Sequence, residues 1–291
     1  MTATALSFPR PPPTLLVEPQ VRAALEEDLG RAGDITSQLT IAEDAIVTAR
    51  LAARRPGRIA GLIAAEIAFH LVDPGLHLAV LIPAGAEPAP GDVLATITGS
   101  ARSILTAERV ALNFLGPLSG TATATAALVK AVEGTQARIV CTRKTLPGLR
   151  LLQKYAVRCG GGFNHRFGLD DAAMVKDNHI AAAGGITPAL QRLRAGLGHM
   201  VRIEIEVESL AQLEEALAAG ADAILLDNMS IGDLNHGVAL AKTKYGGRTV
   251  LEASGNVTLD RVRTIAETGV DYISSGALTH SAPNLDIGLD F

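Results

Sequence analysis

RIEIEVESLAQLEEALAAGADAILLD, residues 202–227, holds the pattern that decides the fold of this chain. Two short apolar runs, 202–207 and 223–227, flank an amphipathic stretch that the spacing of its leucines predicts to be a helix over 209–219. Gly220 stands where a C-terminal helix cap is expected. Strand, helix and strand in this order form a βαβ unit, whose two strands run parallel.

The same alternation fills the second half of the chain. Further helices are predicted around 148–158, 186–196, 231–243 and 258–268. Short apolar runs separate them: ARIVCT (137–142), AAMVK (172–176), RIEIEV (202–207), AILLD (223–227), TVLEA (249–253) and DYISS (271–275). Repeated βαβ units of this kind predict a parallel sheet, closed as an α/β barrel.

The first half has a different character. The pattern predicts an extended Pro-rich lead-in over residues 1–20, then a helix that begins near Pro19 and ends at Gly30. Short strands follow at VTARLAA, GRIAGLIA, LHLAVLI and DVLATIT between residues 47 and 98, interrupted by a helix over 64–71. A later helical stretch is predicted to break at Gly116-Pro117 and to resume beyond it. This half is therefore predicted to be α+β.

Composition excludes several classes of function. Among 291 residues, 48% are hydrophobic, none is Trp and three are Tyr, and the formal net charge is −4. Nucleic-acid binding is disfavoured by the charge and by the lack of aromatic stacking platforms. The chain shows no basic leader and no apolar run of the ~18 residues that a membrane span needs. Cys141 and Cys159 have no CxxC spacing and are expected to pack as small apolar residues. A soluble, cytoplasmic protein that binds no membrane and no nucleic acid is expected.

Residues 142–179 concentrate positive charge inside this mildly acidic chain and predict a pocket for a small polyanion. Arg150, Lys154 and Arg158 recur at helical spacing, and we interpret them as a solvated helix face. The segment holds three acidic residues, and its basic or imidazole side chains include Arg143, Lys144, Arg150, Lys154, Arg158, His165, Arg166 and Lys176.

Polar groups follow nearly every predicted strand of the second half. Since α/β barrels form their active sites where the strands end, these groups are expected to meet at one rim. The strand-end groups are Arg143-Lys144, Lys176-Asp177, Glu206, Asp227-Asn228, Ser254-Gly255 and Ser275-Gly276.

The rim divides by charge. The arginines, His165 and Lys176 suit carboxylates or phosphates, whereas Glu206 and Asp227 suit Mg²⁺ shared with substrate phosphates. The two Ser-Gly turns offer backbone N–H groups to an anion. Together these groups suggest a phosphoribosyl-type substrate. Two points stay open: Glu204 or Glu206 could serve only as a salt-bridge partner, and Gly160-Gly161-Gly162 could be a linker or a close approach to ligand.

Long motifs carry a family resemblance over nearly the whole chain. The chain resembles the quinolinate phosphoribosyltransferases in these segments: EEDLGRAGDITS (26–37), LTAERVALNFLGPLSGTAT (105–123), TRKTLPGLR (142–150), KYAVRCGGGFNHRFGLDDAAMVKDNHI (154–180), EIEVES (204–209), ILLDNMS (224–230), LEASGNVTL (251–259) and ISSGALTHSAPNLDIGLDF (273–291).

The resemblance implies an α/β fold in which an N-terminal α+β domain packs on an incomplete, seven-stranded α/β barrel. The first domain would span 1–115, joined by the C-terminal tail 281–291, and the barrel would span 116–280. A homodimer is also implied, with active sites shared between subunits and possible assembly into a higher oligomer.

The resemblance also assigns roles to the site residues. It implies that Arg143, His165, Arg166 and Lys176 bind quinolinate, with Arg109 supplied by the partner subunit. Lys144, Glu206 and Asp227 are expected to be catalytic, the two carboxylates also holding Mg²⁺. The phosphoribosyl pyrophosphate side would consist of Lys144, Lys176, Glu206, Asp227, Ser254, Gly255, Asn256, Ser275, Gly276 and His280.

The activity implied is transfer of phosphoribosyl from 5-phosphoribosyl 1-pyrophosphate to quinolinate with decarboxylation, a step of NAD biosynthesis. Leu146 and Asn256 depart from the family pattern, beside the charged positions rather than on them. The alternatives are a paralogue of the same fold that acts on another anion, and a non-catalytic phosphometabolite-binding protein. For EEDLGRAGDITS we favour a structural or interface role.

Overall fold

Two sheets organise the chain in the computed structural model, which describes residues 9–291. Residues 1–8 of the predicted lead-in lie outside the described part. Two compact units form: one holds the described residues up to Ala126 with Thr145–Gly161 and Ala277–Phe291, the other Ala127–Lys144 with Gly162–Gly276. Within 9–291, no helix has both the length and the apolar character that a membrane crossing requires.

The elements follow one another in a regular order. Up to the long fourth helix they are α1 (Thr14–Leu29), α2 (Ile35–Thr40), β1 (Ile46–Ala53), α3 (Leu62–Val72), β2 (His77–Val80), β3 (Val93–Ser100) and α4 (Ala101–Ala131). The remainder are β4 (Arg138–Val140), α5 (Arg150–Cys159), β5 (Ala173–Val175), α6 (Asp177–Ala183), α7 (Ile186–Gly196), β6 (Ile203–Val207), α8 (Leu210–Ala218), β7 (Ala223–Asp227), α9 (Ile231–Lys244), β8 (Val250–Ser254), α10 (Val262–Glu267), β9 (Tyr272–Ser274), α11 (Ala277–His280) and β10 (Ile287–Asp290).

The first unit contains an antiparallel sheet of order β10-β1-β3-β2. The C-terminal strand β10 pairs with β1, from Arg50 opposite Asp290 to Ala53 opposite Ile287. Apolar side chains of β1, β3, α1, α3, α4 and α5 form one buried core against this sheet. The predicted α+β character of this half is confirmed.

Helix α1 begins five residues before the predicted start at Pro19, which lies inside it. Val17, Val21 and Leu25 are buried at a spacing of four residues, so the apolar face already begins before Pro19, at Val17. Burial of this face outweighs the backbone hydrogen bond that Pro19 removes.

The predicted break at Gly116-Pro117 is wrong, because α4 runs unbroken from Ala101 to Ala131 with Pro117 inside it. Tertiary packing stabilises this helix around the proline. The C-terminal tail lies against it there: the Leu285 N–H donates to the Gly116 carbonyl at 3.0 Å. A Cβ on Gly120 would lie 2.0 Å from the Pro283 carbonyl oxygen, so only glycine permits this approach.

The predicted strand GRIAGLIA is also wrong, because its second half is the start of α3 and its first half pairs irregularly. Ile59 exchanges backbone hydrogen bonds with the turn at Gly85 and Ala86. The Ser119 hydroxyl on α4 accepts from the Ala60 N–H and donates to the Ala60 carbonyl, both at 3.0 Å. These partners satisfy the polar backbone of a buried segment without a strand neighbour.

The second unit contains a sheet of six parallel strands in the order β4-β9-β8-β7-β6-β5. The parallel α/β prediction is therefore confirmed. The seventh strand implied by the resemblance is represented by a single parallel bridge, Val140 to Phe163, beyond β4. Phe163 follows three consecutive glycines, which are poor strand formers.

The unit boundary differs from the predicted division in the position of α5. The side chains of Leu152, Tyr155, Ala156 and Cys159 belong to the same buried core as β1 and α3. Helix α5 therefore groups with the first unit, although its sequence stands between two strands of the parallel sheet.

Candidate active site

A cavity of about 410 Å³ opens at the carboxyl ends of the parallel strands in the second unit. Because the side chains of a strand alternate between the two faces of the sheet, the strand residues that line this cavity lie on the same face. The lining consists of Thr142, Arg143, Lys144, His165, Arg166, Met174, Lys176, Glu206, Leu225, Asp227, Glu252, Ser254 and Ser274. Side chains from or next to all six strands thus meet in one cavity, as the strand-end pattern predicts.

Two guanidinium groups form the cationic wall. Arg143 follows β4, and Arg166 lies in the loop between α5 and β5, where its Nη1 donates to the Ala172 carbonyl at 2.9 Å. Burial, followed by the positive charge of Arg143, lowers the pKa of the Arg166 guanidinium. Two cations held this close repel each other, so an anion bound between them is favoured.

Two carboxylates form a second part of the lining, the carboxylate wall. Glu206 Oε2 accepts from Lys176 Nζ at 2.5 Å, and Asp227 Oδ2 accepts from Asn228 Nδ2 at 2.9 Å. Both side chains reach the cavity from neighbouring strands, β6 and β7. This donor set fits Mg²⁺, which binds one or two carboxylates and takes its other ligands from water and substrate phosphates.

The turns after β7 and β8 pack directly on each other. Asn228 and Asn256 have left-handed backbones, with φ of 52° and 46°. Gly255, at φ 97°, lies so close to Asn228 that a Cβ there would be 2.0 Å from its Oδ1. The Asn228 N–H also donates to the Ser254 carbonyl at 2.9 Å. Asp227 and Ser254 are therefore held in a fixed relation at the rim.

A buried group lies one layer below the rim, inside the parallel sheet. His165 Nε2 lies 2.7 Å from Glu204 Oε2 and 3.9 Å from Glu252 Oε1. The Arg166 backbone N–H donates to His165 Nδ1 at 2.8 Å. Burial and the neighbouring Glu204 carboxylate raise the pKa of the Glu252 carboxyl to about 7. This carboxyl therefore keeps its proton to a much higher pH than an exposed glutamate.

Several predicted site residues lie elsewhere. Arg109 is exposed on α4 and His280 ends α11, both in the first unit. In the described part of the second unit, the cavity lining leaves out Gly255, Asn256, Ser275 and Gly276. Ser275 is buried, and its N–H donates to the Val140 carbonyl at 3.0 Å; β9 contributes Ser274 to the cavity instead.

The predicted solvated face of α5 is wrong for Lys154. Its side chain is 1% exposed, whereas Arg158 is exposed and Arg150 is half-buried. The helix buries most of its residues in the first unit, because it packs into a core on more than one face.

Two interpretations of Gly160-Gly161-Gly162 were left open, a linker or a close approach to ligand, and neither explains Gly160. A Cβ there would lie 2.4 Å from the Ala122 carbonyl oxygen, so this glycine permits close packing of α5 on α4. The departure at Leu146 is accommodated on the surface: its side chain is 44% exposed, and its N–H donates to Gln153 Oε1 at 2.8 Å.

Sequence reasoning missed Glu252 and gave Glu204 no defined role. The signal was present, since each glutamate stands two residues before a predicted site residue on the same strand, Glu206 or Ser254. Period two places both on the cavity side, one layer deeper.

The fold and the cavity define an α/β enzyme that binds anionic substrates at the carboxyl ends of its strands. The model of the quinolinate phosphoribosyl transferase C-terminal domain matches residues 121–290, and that of the N-terminal domain matches 34–119. The chain belongs to the quinolinate phosphoribosyltransferase family.

Individual relatives agree with this. The chain is 46% identical to a nicotinate-nucleotide pyrophosphorylase (carboxylating) of Mycobacterium leprae, covering 93% of this chain and 95% of the relative. It is 44% identical to a probable enzyme of the same name from Bacillus subtilis, covering 91% and 89%. Among solved structures, the nicotinate-nucleotide pyrophosphorylase of Francisella tularensis aligns with a TM-score of 0.91 at 42% identity, covering 96% and 97%.

Proposed function

We propose that this chain joins quinolinate to 5-phosphoribosyl 1-pyrophosphate and forms nicotinate mononucleotide, pyrophosphate and CO₂, a step of NAD biosynthesis. The observation that carries this function is the rim cavity, which Arg143 and Arg166 line together with Glu206 and Asp227. A dicarboxylate needs the first pair, and a metal-bound pyrophosphate needs the second. Family membership supports the same reaction.

The cationic wall would bind the dicarboxylate. Arg143 and Arg166 present planar guanidinium groups that pair with carboxylates bidentately, and Lys176 adds a point charge. His165, joined to the Arg166 backbone, completes this quinolinate-binding set. Two fixed carboxylate contacts orient the pyridine ring, so that its nitrogen faces the anomeric carbon and little orientational entropy remains to be lost.

The carboxylate wall would serve phosphoribosyl transfer. Lys144 would stabilise charge on the departing pyrophosphate oxygens, and Glu206 and Asp227 would stabilise the positive charge that develops on the ribosyl carbon. We propose that these two carboxylates also hold Mg²⁺, which supplies Lewis-acid stabilisation of the leaving group when bound. Ser254, Gly255, Asn256, Ser275, Gly276 and His280 would complete the phosphoribosyl pyrophosphate side.

Bond changes then proceed in two stages. The ring nitrogen bonds to the anomeric carbon as the bond from that carbon to the pyrophosphate oxygen breaks. When the adjacent carboxylate departs as CO₂, its bonding electron pair stays on the ring carbon, where the neighbouring cationic nitrogen stabilises the negative charge. A proton from solvent replaces the carboxylate on that carbon. Little is required of the side chains in this second stage beyond holding the ring.

We also propose that the chain acts as a homodimer in which Arg109 of one subunit reaches the other subunit's site. The exposed position of Arg109 on α4 leaves it accessible to a partner. Mixing inactive Arg109→Ala with inactive Lys144→Ala protein tests this, because mixed dimers hold one intact site. Restored activity is expected, and no recovery after demonstrated subunit exchange would refute it. A reducing compartment such as the cytoplasm suits the buried free thiols Cys141 and Cys159.

Product analysis tests the function itself. Purified protein with quinolinate, 5-phosphoribosyl 1-pyrophosphate and Mg²⁺ should form nicotinate mononucleotide, pyrophosphate and CO₂ in equal amounts, and nicotinate in place of quinolinate should give none. Arg143→Ala should lower kcat/KM roughly 30-fold or more, since a charge-assisted pair is worth about 2–3 kcal/mol. Binding of quinolinate without pyrophosphate release would refute the proposed reaction.

A further inference from the structure

Two members of the buried group of His165, Glu204 and Glu252, the glutamates, have no role in the reaction as described above. Glu204 is 9% exposed and Glu252 5%, both within the parallel sheet and below the rim. Burying two carboxylates is costly unless they are paired and hydrogen-bonded. Their retention at this site therefore calls for a physical reason.

A metal site is the first interpretation to consider. One ligand atom from each of the three side chains lies within 4.8 Å of the others, a separation that a single ion could span. The protonation of His165 argues against it. A backbone N–H can only donate, so the Arg166 N–H bond of 2.8 Å requires a lone pair on Nδ1. The neutral imidazole then carries its proton on Nε2 and has no lone pair there for a metal.

The same tautomer explains the contact with Glu204. The Nε2–H donates to Glu204 Oε2 at 2.7 Å, whereas Glu252 Oε1, at 3.9 Å, is too distant for a hydrogen bond. A continuous chain therefore runs from the Glu204 carboxylate through the imidazole to the Arg166 backbone. Both ring nitrogens are engaged in it. Arg166 is fixed further by its Nη1 bond to the Ala172 carbonyl.

We propose that Glu204 is a positioning residue for quinolinate binding. Glu204 holds His165 as the Nε2–H tautomer, and through His165 it fixes Arg166 in the cationic wall. This inference rests on the proposed function. Glu204 acts from beneath the cavity, through His165, and it is absent from the described cavity lining. Without a carboxylate at this position, the buried Nε2–H would lose its acceptor and the ring would turn to find another.

Three variants test the role of Glu204. Glu204→Leu removes the acceptor, whereas Glu204→Gln keeps an oxygen that can accept from Nε2–H. Glu208→Gln is the matched control, since Glu208 is exposed just beyond the end of β6. For the Leu variant we expect KM for quinolinate to rise about tenfold or more, the cost of one unsatisfied buried donor. KM for 5-phosphoribosyl 1-pyrophosphate should stay within about twofold, and Gln should restore most of the quinolinate affinity.

A second measurement needs no substrate and is read on the wild-type protein. Long-range ¹H–¹⁵N NMR of the wild-type protein reports the tautomer of each histidine, and the His165 signals are assigned by their loss in His165→Asn. The Nε2–H pattern is expected. An Nδ1–H tautomer, or equal rises of both KM values in Glu204→Leu, would overturn the proposal. If wild type shows the Nε2–H pattern but forms no product, the proposed function fails while this geometry stands.

Discussion

Replacing Gly255 with alanine should uncouple the two turns that present Asp227 and Ser254 to the cavity. Gly255 has φ 97°, a backbone conformation that residues other than glycine rarely adopt. An added Cβ would lie 2.0 Å from Asn228 Oδ1, 2.6 Å from its Cγ and 3.0 Å from its backbone nitrogen. The Asn228 side chain must therefore move, and it takes with it the donor that bonds Asp227 Oδ2 at 2.9 Å.

The stability that Gly255→Ala is expected to lose has two parts. Holding alanine in a left-handed conformation costs about 1–2 kcal/mol. Losing the exposed Asn228 to Asp227 hydrogen bond costs a further 0.5–1.5 kcal/mol or so. The free energy of unfolding should therefore fall by about 1.5–3.5 kcal/mol. Because the released carboxylate lies on the phosphoribosyl side, KM for 5-phosphoribosyl 1-pyrophosphate should rise about tenfold.

Gly134→Ala separates the two parts. Gly134 has a comparable φ of 80°, but no atom lies within 4 Å of its would-be Cβ. Gly134→Ala should lose only the stability that backbone strain costs, and its KM values for quinolinate and 5-phosphoribosyl 1-pyrophosphate should stay unchanged. Urea denaturation and steady-state kinetics on the two variants measure the difference. If Gly255→Ala and Gly134→Ala lose the same stability and Gly255→Ala keeps its substrate KM, the packing of Asn228 on Gly255 does not hold Asp227.

Three further predictions concern stability. Asp34 is the N-cap of α2 and accepts from the Ser37 N–H. Its hydrogen bonds to Ser37 are the main reason that its pKa is lowered. Asp34→Ala should therefore lower the free energy of unfolding by about 1 kcal/mol near pH 7. That difference from wild type should shrink as pH falls through the lowered pKa; an equal loss at low pH would contradict it. Folded Glu252 keeps a proton that the unfolded chain loses near its ordinary pKa of 4.5, so wild-type stability should fall from there to about pH 7. Glu252→Gln should flatten that fall in urea titrations at several pH values, and an unchanged slope would show that Glu252 titrates normally. In Gly120→Ala the added Cβ would displace Pro283, and the free energy of unfolding should fall by about 1–3 kcal/mol. Gly116→Ala is the control and should keep its stability, because its Cβ would meet Leu285 O at 3.4 Å. Equal thermal midpoints for the two variants would refute the packing of the tail on α4.

The structure also gives EEDLGRAGDITS a physical role. Its Asp34 caps α2 and also accepts from the Thr106 hydroxyl on α4 at 3.2 Å. Gly30 ends α1 within the same segment. These contacts agree with the structural role favoured from sequence, and the interface role stays a prediction.

Local patterns in the sequence determined the second unit well. Strand runs of three to five residues alternate with helices, and each strand ends in a polar group, so Arg143, Lys176, Glu206, Asp227 and Ser254 could be assigned to one rim before any coordinates. This works because the carboxyl ends of parallel strands must lie at one edge of the sheet. The same local reasoning failed at Pro117, where packing of the tail against α4 outweighs the propensity to break.

Only the tertiary structure decided which side chains meet below that rim. Glu204 and Glu252 stand on β6 and β8, separated by β7, and His165 comes from a loop outside the six-stranded sheet. Lys154 shows the same limit, since helical spacing places it on a face but not against solvent or core. Periodicity is a property of neighbouring residues, whereas burial depends on what the sheet and the packed helices bring against them. The sequence therefore determined the edge where the site forms, and the fold determined the buried carboxylates beneath it.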